Sequence, residues 1–199
     1  MKSIEEKIAP LFANKGILRS SELEAAGINR MRLSRLVQQG RLIRISRGLY
    51  ALPEYLPGEH GELATVARRA PHALFCLLTA LQIHELTTQA PFKVWIAIAN
   101  KAHPPKLDYP PLHVVRFSQA SLQEGVEKRE VDGIEIHLTT PAKTVADCFK
   151  FRNKVGLDVA IEALREVIRE KRATMDELWH FAILNRVGNV MRPYMEAVQ

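Results

Sequence analysis

The sequence predicts an α+β protein. It has an N-terminal winged helix-turn-helix, then a second α+β part with a small, mainly antiparallel sheet and a helical end. Three observations carry this prediction. Two helical periods near the N-terminus each stop at a glycine, at Gly27 and Gly40. An alternating apolar–polar run follows directly, centred on Arg47-Gly48. Beyond residue 90, short strand-like runs give way to amphipathic helical periods, the order expected of segregated α+β architecture.

The elements follow in chain order. Ile4, Ile8, Leu11 and Phe12 recur at helical spacing, and Gly16 ends that helix. Ser20 or Ser21 is expected to cap a second helix, with Ser21-x-x-Glu24 as a capping box. Leu23 and Ala26 face inward, Gly27 supplies the left-handed C-terminal position, and Ile28 plugs the turn. Asn29 is the expected N-cap of a third helix reaching about Gln39. Its Leu33, Leu36 and Val37 share an inward face, while Met31, Arg35, Gln38 and Gln39 lie opposite, flanked by Arg32 and Ser34. Helix, Gly-containing turn, helix is a helix-turn-helix pattern. The run from Arg41 to Leu52 then reads as a hairpin, the wing.

Pro53, Pro57, Gly58 and Gly61 cluster in the next stretch, so a domain boundary is expected there, giving parts 1–56 and 57–199. Leu63, Val66 and Ala67 predict a helix ending before Pro71, and 77–86 another. Strands are predicted over 92–99 and 112–117, separated by a proline-rich loop. Asp132-Gly133 between 126–131 and 134–138 is a type I′ hairpin signal. Thr140 with Pro141 opens a helix. Helices over 157–171, 174–185 (opened by the box Thr174-x-x-Glu177) and 189–197 complete the chain.

Composition and charge narrow the function. A chain of 199 residues that is 47% hydrophobic and 25% charged is not a disordered one. The net charge is +6, and residues 1–52 carry all of it, with ten Lys/Arg against four Asp/Glu. The remaining 147 residues hold eighteen of each sign. Between Ala25 and Pro53 there is no acid, while Arg30, Arg32, Arg35, Arg41, Arg44 and Arg47 all fall inside. A solvated face normally mixes signs. Six unmixed arginines on a helix and wing point instead to an anionic polymer, because the guanidinium fork grips phosphate or the guanine edge with two hydrogen bonds.

Other chemistries find little support. No apolar run approaches the roughly 18 residues of a membrane helix. The N-terminus has acids and no apolar h-region, so no secretory signal is expected and the location is read as cytoplasmic. Cys76 and Cys148 sit among apolar neighbours and are read as buried reduced thiols. No two of the seven histidines are three to five residues apart, and there is no Cys-x-x-Cys, so neither a metal nor a cofactor is expected. His84 reads as structural. Asp108, Asp132, Glu135 and His137 are the candidate set for a Mg²⁺ nuclease site. Asp132 has a turn role, however, and Glu135 and His137 alternate with Ile134, Ile136 and Leu138 as the wet face of a strand. In the segment from Thr140 to Asp147 a helix N-terminus could take an anion. The simpler reading is a capped helix in which Asp147 holds a backbone amide or an arginine.

Several strings together resemble a known family. They are Leu36-Val37-Gln38-Gln39-Gly40-Arg41-Leu42, Arg47-Gly48-Leu49-Tyr50, and Ala80-Leu81 with His84-Glu85-Leu86. Thr140-Pro141-Ala142-Lys143-Thr144-Val145-Ala146-Asp147-Cys148 follows, then 158–164 and Arg192-Pro193-Tyr194-Met195. In this order they resemble the AbiEi-type antitoxins, transcriptional regulators of phage-defence loci. Glu85 departs from the pattern, since such proteins commonly carry Gly there. The resemblance implies a non-enzymatic repressor that binds inverted repeats in its own operon. It also implies a nucleotidyltransferase-like toxin, counteracted without a stable complex and as part of a type IV toxin–antitoxin system.

The residues alone lead to a winged helix on double-stranded DNA. Arg32, Ser34, Arg35 and Gln38 are expected nearest the base edges, with Asn29 and Arg30 on phosphates. Arg41, Arg44 and the wing tip Arg47-Gly48 complete the expected contact set. Two alternatives stand beside it: a one-component regulator whose C-terminal part senses a small molecule, and a DNA-targeted nuclease.

Overall fold

A computed structural model describes residues 4–198. Met1, Lys2 and Ser3, on which the leader reading partly rests, lie outside the described residues, as does the side chain of Ile4 in the first apolar stripe. The chain forms two compact units. One comprises Met1–His72, Pro105–Pro111 and Arg129–Ile136; the other comprises Ala73–Pro104, Leu112–Lys128 and His137–Gln199.

In the first unit, helix α1 (Ile4–Phe12) is followed by strand β1 (Leu18–Arg19), helices α2 (Ser20–Ala25) and α3 (Arg30–Gln38), and strands β2 (Ile43–Ser46) and β3 (Leu49–Ala51). Helix α4 (Gly61–Arg69) comes next. The strands form an antiparallel sheet in the order β1-β3-β2. Ile8, Phe12, Leu18, Leu23, Ile28, Leu33, Leu36 and Leu42 fill the core, with Leu11 and Val37 partly buried against it, whereas Ala26, expected to face inward, is exposed.

Two local expectations change here. Strand β1, only two residues long, joins the wing as a third strand. The α2 cap also lies two residues earlier than the expected box, at Arg19. Glu22, not Glu24, closes the N-terminus by accepting the Arg19 backbone N–H at 2.8 Å. Glu22 also pairs with Arg68 of α4, while the Arg19 Nε donates to the Arg68 carbonyl at 2.6 Å.

The Asp132-Gly133 turn takes positive φ at both residues (51° and 72°), as a type I′ turn requires. Within the first unit, the Asp132 carboxylate accepts the Tyr55 hydroxyl at 2.5 Å, and its carbonyl accepts the Gly16 N–H at 3.3 Å. Gly133 has no room for a side chain, because a Cβ there would strike the Asn14 carbonyl.

A five-stranded sheet is ordered β6-β5-β4-β8-β7, with β4, β5 and β6 in the second unit and residues 129–131 of β7 and 134–136 of β8 counted in the first. Its strands are β4 (Leu74–Phe75), β5 (Val94–Ala99), β6 (Leu112–Phe117), β7 (Val126–Val131) and β8 (Ile134–Thr139). The sheet is mixed: β4–β5 is antiparallel, whereas β5–β6 and β4–β8 are parallel. The parallel pairs arise from long connections, such as residues 100–111 between β5 and β6, and local alternation does not reveal them.

Helices α5 (Leu77–Ile83), α6 (Gln119–Gln123), α7 (Pro141–Lys150), α8 (Arg152–Val155), α9 (Leu157–Arg169), α10 (Met175–Leu184) and α11 (Gly188–Ala197) complete the unit. Trp95, Ala97, Val115 and Phe117 of the sheet share one core with Leu81, Val145, Phe149, Leu164, Leu178 and Met191 of the helices. Helix α10 carries the expected Thr174/Glu177 capping box. Among the described residues no helix is long and apolar enough to cross a membrane.

Candidate nucleic-acid interface

The geometry of α2 and α3 follows from three short-range devices. The Gly27 N–H donates to the Glu24 carbonyl and the Ile28 N–H to the Leu23 carbonyl, both at 2.9 Å. This is a Schellman end to α2, which Gly27 reaches at φ +84° and which buries Ile28 beside the Leu23 turn. Asn29 Oδ1 then accepts the Arg32 N–H at 2.9 Å and starts α3, a cap worth about 1 kcal/mol. At the far end the Arg41 N–H reaches the Leu36 carbonyl at 2.9 Å, with Gly40 at φ +68°. Buried Leu33 and Leu36 then fix which face of α3 is left outside.

The outer face holds most of the residues expected there. Asn29, Arg32, Ser34, Arg35 and Gln38 line one open groove, together with Met31. All six are exposed. Among the described residues, Arg32 and Arg35 have no ion-pair or side-chain hydrogen-bond partner, so both guanidinium groups are available. Arg30 differs, because its Nε donates to Glu24 Oε1 at 3.0 Å. It borders a neighbouring depression with Glu24, Gly27, Asn29 and Met31, and it does not line the main groove.

The wing contributes separately. Arg44 is exposed, its Nε resting 3.4 Å from the Ser46 carbonyl. Arg47 is exposed at the tip and has no partner among the described residues. Gly48 turns the chain at φ +80°, and its carbonyl accepts the Ser20 N–H at 2.9 Å, tying the tip to the start of α2. A Cβ at Gly48 would meet only Ser20 Oγ at 3.6 Å, so backbone conformation, not space, calls for glycine. Arg41 is half-buried and lines a different depression, with Ile8, Ala9, Leu52, Pro53 and Glu54.

Met31 lines this groove but stands outside the expected contact set. At 84% exposure it is among the most exposed large apolar side chains of the chain. Its position opposite Leu33 and Leu36 was readable from helical spacing, but charge alone did not single it out.

The second unit assembles no comparable site. Among the described residues no group of three His, Cys, Asp or Glu could hold a metal ion. Cys76 and Cys148 are buried free thiols, and burial pushes both well up from the ordinary thiol value. His84 is buried, with a ring nitrogen 2.7 Å from the Thr139 carbonyl, as a structural histidine should be.

Asp147 corrects its expected partner. Among the described residues it accepts neither a backbone amide nor an arginine; it accepts Lys143 Nζ at 2.7 Å and Asn185 Nδ2 at 2.7 Å. Lys143 also donates to Ser121 Oγ at 3.0 Å and lies 4.6 Å from the centre of the Phe117 ring. Burial raises the Asp147 carboxyl above its ordinary value, against the pull of Lys143. Thr140 occupies the cap position of α7, with Pro141 after it, but makes no side-chain cap bond, so the expected capped helix lacks its side-chain cap.

A helix whose outer face is basic, set by an Asn cap after a Gly turn and followed by a three-stranded wing, is a winged helix-turn-helix module. Residues 6–53 match the model of a family described as "Transcriptional regulator, AbiEi antitoxin". Over this N-terminal part the chain is similar to the transcriptional-regulator domain of the AbiEi antitoxin type. No curated protein matches the chain.

Proposed function

We propose that this protein is a DNA-binding transcriptional repressor and the antitoxin of a type IV toxin–antitoxin system. On this reading residues 1–56 bind inverted repeats in the operator of its own operon, and residues 57–199 carry the antitoxin function. It is cytoplasmic, needs no cofactor and catalyses no reaction. It counteracts a nucleotidyltransferase-like toxin without forming a stable complex with it.

One observation supports the DNA reading above the others: Arg32, Ser34, Arg35 and Gln38 share one open groove on α3. In a major groove these side chains meet base edges, where Arg pairs with guanine O6 and N7. The exposed α3 N-terminus with Asn29 and Arg30, and the wing with Arg44, Arg47 and Gly48, meet the flanking phosphates. Arg41 is assigned a phosphate at the border of the footprint.

The test uses the full chain and DNA from its own promoter. Binding is followed by fluorescence anisotropy, with in vitro selection to define the preferred sequence. Arg35→Ala is expected to relax preference at one base pair, at a cost of about 1–3 kcal/mol. Equal losses on specific and random DNA would make Arg35 a phosphate contact instead. Co-expression with the nucleotidyltransferase of an adjoining gene tests the antitoxin half: growth should be restored, with no co-purification. Growth arrest that persists would remove the antitoxin assignment.

A further inference from the structure

We infer that Met31 reads the 5-methyl group of one thymine in the major groove, so the side chain acts as a specificity-determining residue. The inference rests on the DNA reading proposed above and deepens it.

Met31 is 84% exposed on a helix whose apolar work is done by Leu33 and Leu36 on the opposite side. Packing therefore gives no reason for a large apolar side chain there. The side chain sits in the first turn of α3, the part of a recognition helix that approaches base edges. It lines the groove formed with Arg32, Ser34, Arg35 and Gln38, whose polar groups suit base edges and phosphates. Those neighbours also decide the occupant. Duplex DNA supplies phosphates for the guanidinium groups of Arg32 and Arg35. It also presents one apolar feature in the major groove, the thymine methyl. A flexible thioether suits contact with a single methyl whose position varies slightly with groove geometry.

Glu24 sharpens the assignment. By holding Arg30 at 3.0 Å beside the α2–α3 turn, it keeps that long cation at the neighbouring depression. Met31 is then the first large side chain of α3 to line the main groove.

The test uses duplexes carrying the sequence selected in vitro by the full chain, with each thymine in turn replaced by deoxyuridine, which removes only the methyl. The wild-type chain should lose about fourfold in affinity at one position, the value of one buried methyl-sized group. Met31→Ala should bind the thymine duplex about fourfold more weakly and show no thymine–uracil difference at that position, with differences elsewhere unchanged. Met31→Leu should restore the discrimination. Because Met31 is exposed, both variants should keep the wild-type circular dichroism spectrum.

The inference is overturned if Met31→Ala retains full discrimination at every thymine, or if it weakens thymine and uracil duplexes equally. Wild-type binding with no thymine–uracil difference anywhere also overturns it while leaving the DNA reading intact. Failure of the wild-type chain to bind any duplex overturns both.

Discussion

Glu24 accepts a hydrogen bond from Arg30 across the α2–α3 turn, at 3.0 Å. The pair is exposed, so it contributes little stability, but it sets how many cations face outward at the start of α3. Glu24→Gln should free Arg30 for a phosphate. Random-sequence affinity should rise, and the slope of log K against log salt should steepen by about one unit. Arg30→Ala in the wild-type background should change that slope by less than the one unit expected of a full phosphate contact, because Glu24 already partly neutralises that cation. Anisotropy titrations across a salt series measure both, and equal slopes for Glu24→Gln and wild type would leave Arg30 outside the footprint.

The wing tip makes a separable prediction. Arg47 is exposed and lacks a partner among the described residues, while Gly48 is tied to Ser20 through a 2.9 Å hydrogen bond. A tethered tip holds its cation in place without help from DNA. Arg47→Ala should therefore flatten the salt slope by about one unit with no change in sequence preference. A slope that does not move would take the wing out of the contact.

Lys143 and Asp147 form an ion pair with both side chains at 0% exposure. Breaking such a pair leaves a buried charge alone and typically costs about 3–5 kcal/mol. Asp147→Leu should cost that much, because Lys143 would keep only Ser121 and the Phe117 face. The double substitution Lys143→Met, Asp147→Leu should recover most of the loss, since it removes both charges and fills the space. Urea unfolding of the wild type and the two variants decides the matter. A double variant no more stable than Asp147→Leu would mean that the site needs its polar network, Asn185 included.

Much of the fold was legible because its signals are local. Gly27, Gly40 and the Asp132-Gly133 pair require positive φ, and each sits at the end or turn that its neighbours announced. What sequence order concealed was long-range or very short. Strands β1 and β4 have two residues each, too few for alternation to register. The parallel pairings of β5 with β6 and β4 with β8 depend on crossovers. On the candidate interface, counting acids between Ala25 and Pro53 made all six arginines look unopposed. The turn brings Glu24, one residue outside that window, back onto Arg30. Glu22 is likewise hidden as the capping acid, because its register puts Arg19, a poor cap residue, at the N-cap, whereas Ser21-x-x-Glu24 fits the usual pattern.

His113 gives the chain a pH dependence of known sign. Its ring stacks on Trp95, with centroids 3.7 Å apart and planes 16° from parallel. Burial, with Lys154 and Lys93 nearby, holds the imidazole below its ordinary value of 6.5. As pH falls through 6.5 the unfolded chain takes up a proton before the folded one does. This contribution to stability is therefore full above 6.5, declines in the window below it, and stops declining once the native ring is protonated. His113→Phe keeps a ring on Trp95 and removes that part of the decline. Urea midpoints at about pH 7.5 and about pH 5.5 should thus fall further in wild type than in the variant. Equal falls would show that His113 titrates alike in both states.

Glu85 occupies a left-handed backbone position, φ +58°, just after α5. Its N–H reaches the Gln82 carbonyl at 3.0 Å and the Leu86 N–H reaches the Leu81 carbonyl at 2.9 Å, so the chain closes α5 in the way that usually employs glycine. A side chain costs roughly 1–2 kcal/mol in this conformation, partly offset by the extra freedom that glycine gains when unfolded. The Glu85–Arg172 contact, 3.2 Å and exposed, returns little of that. Glu85→Gly should therefore raise stability by about 0.5–1 kcal/mol with an unchanged m-value. Glu85→Ala provides the control: it discards the contact with Arg172 but keeps a Cβ at positive φ, so it should gain nothing. An alanine variant as stable as the glycine variant would mean that this turn relaxes around any side chain, and that the departure from glycine at position 85 costs the fold nothing.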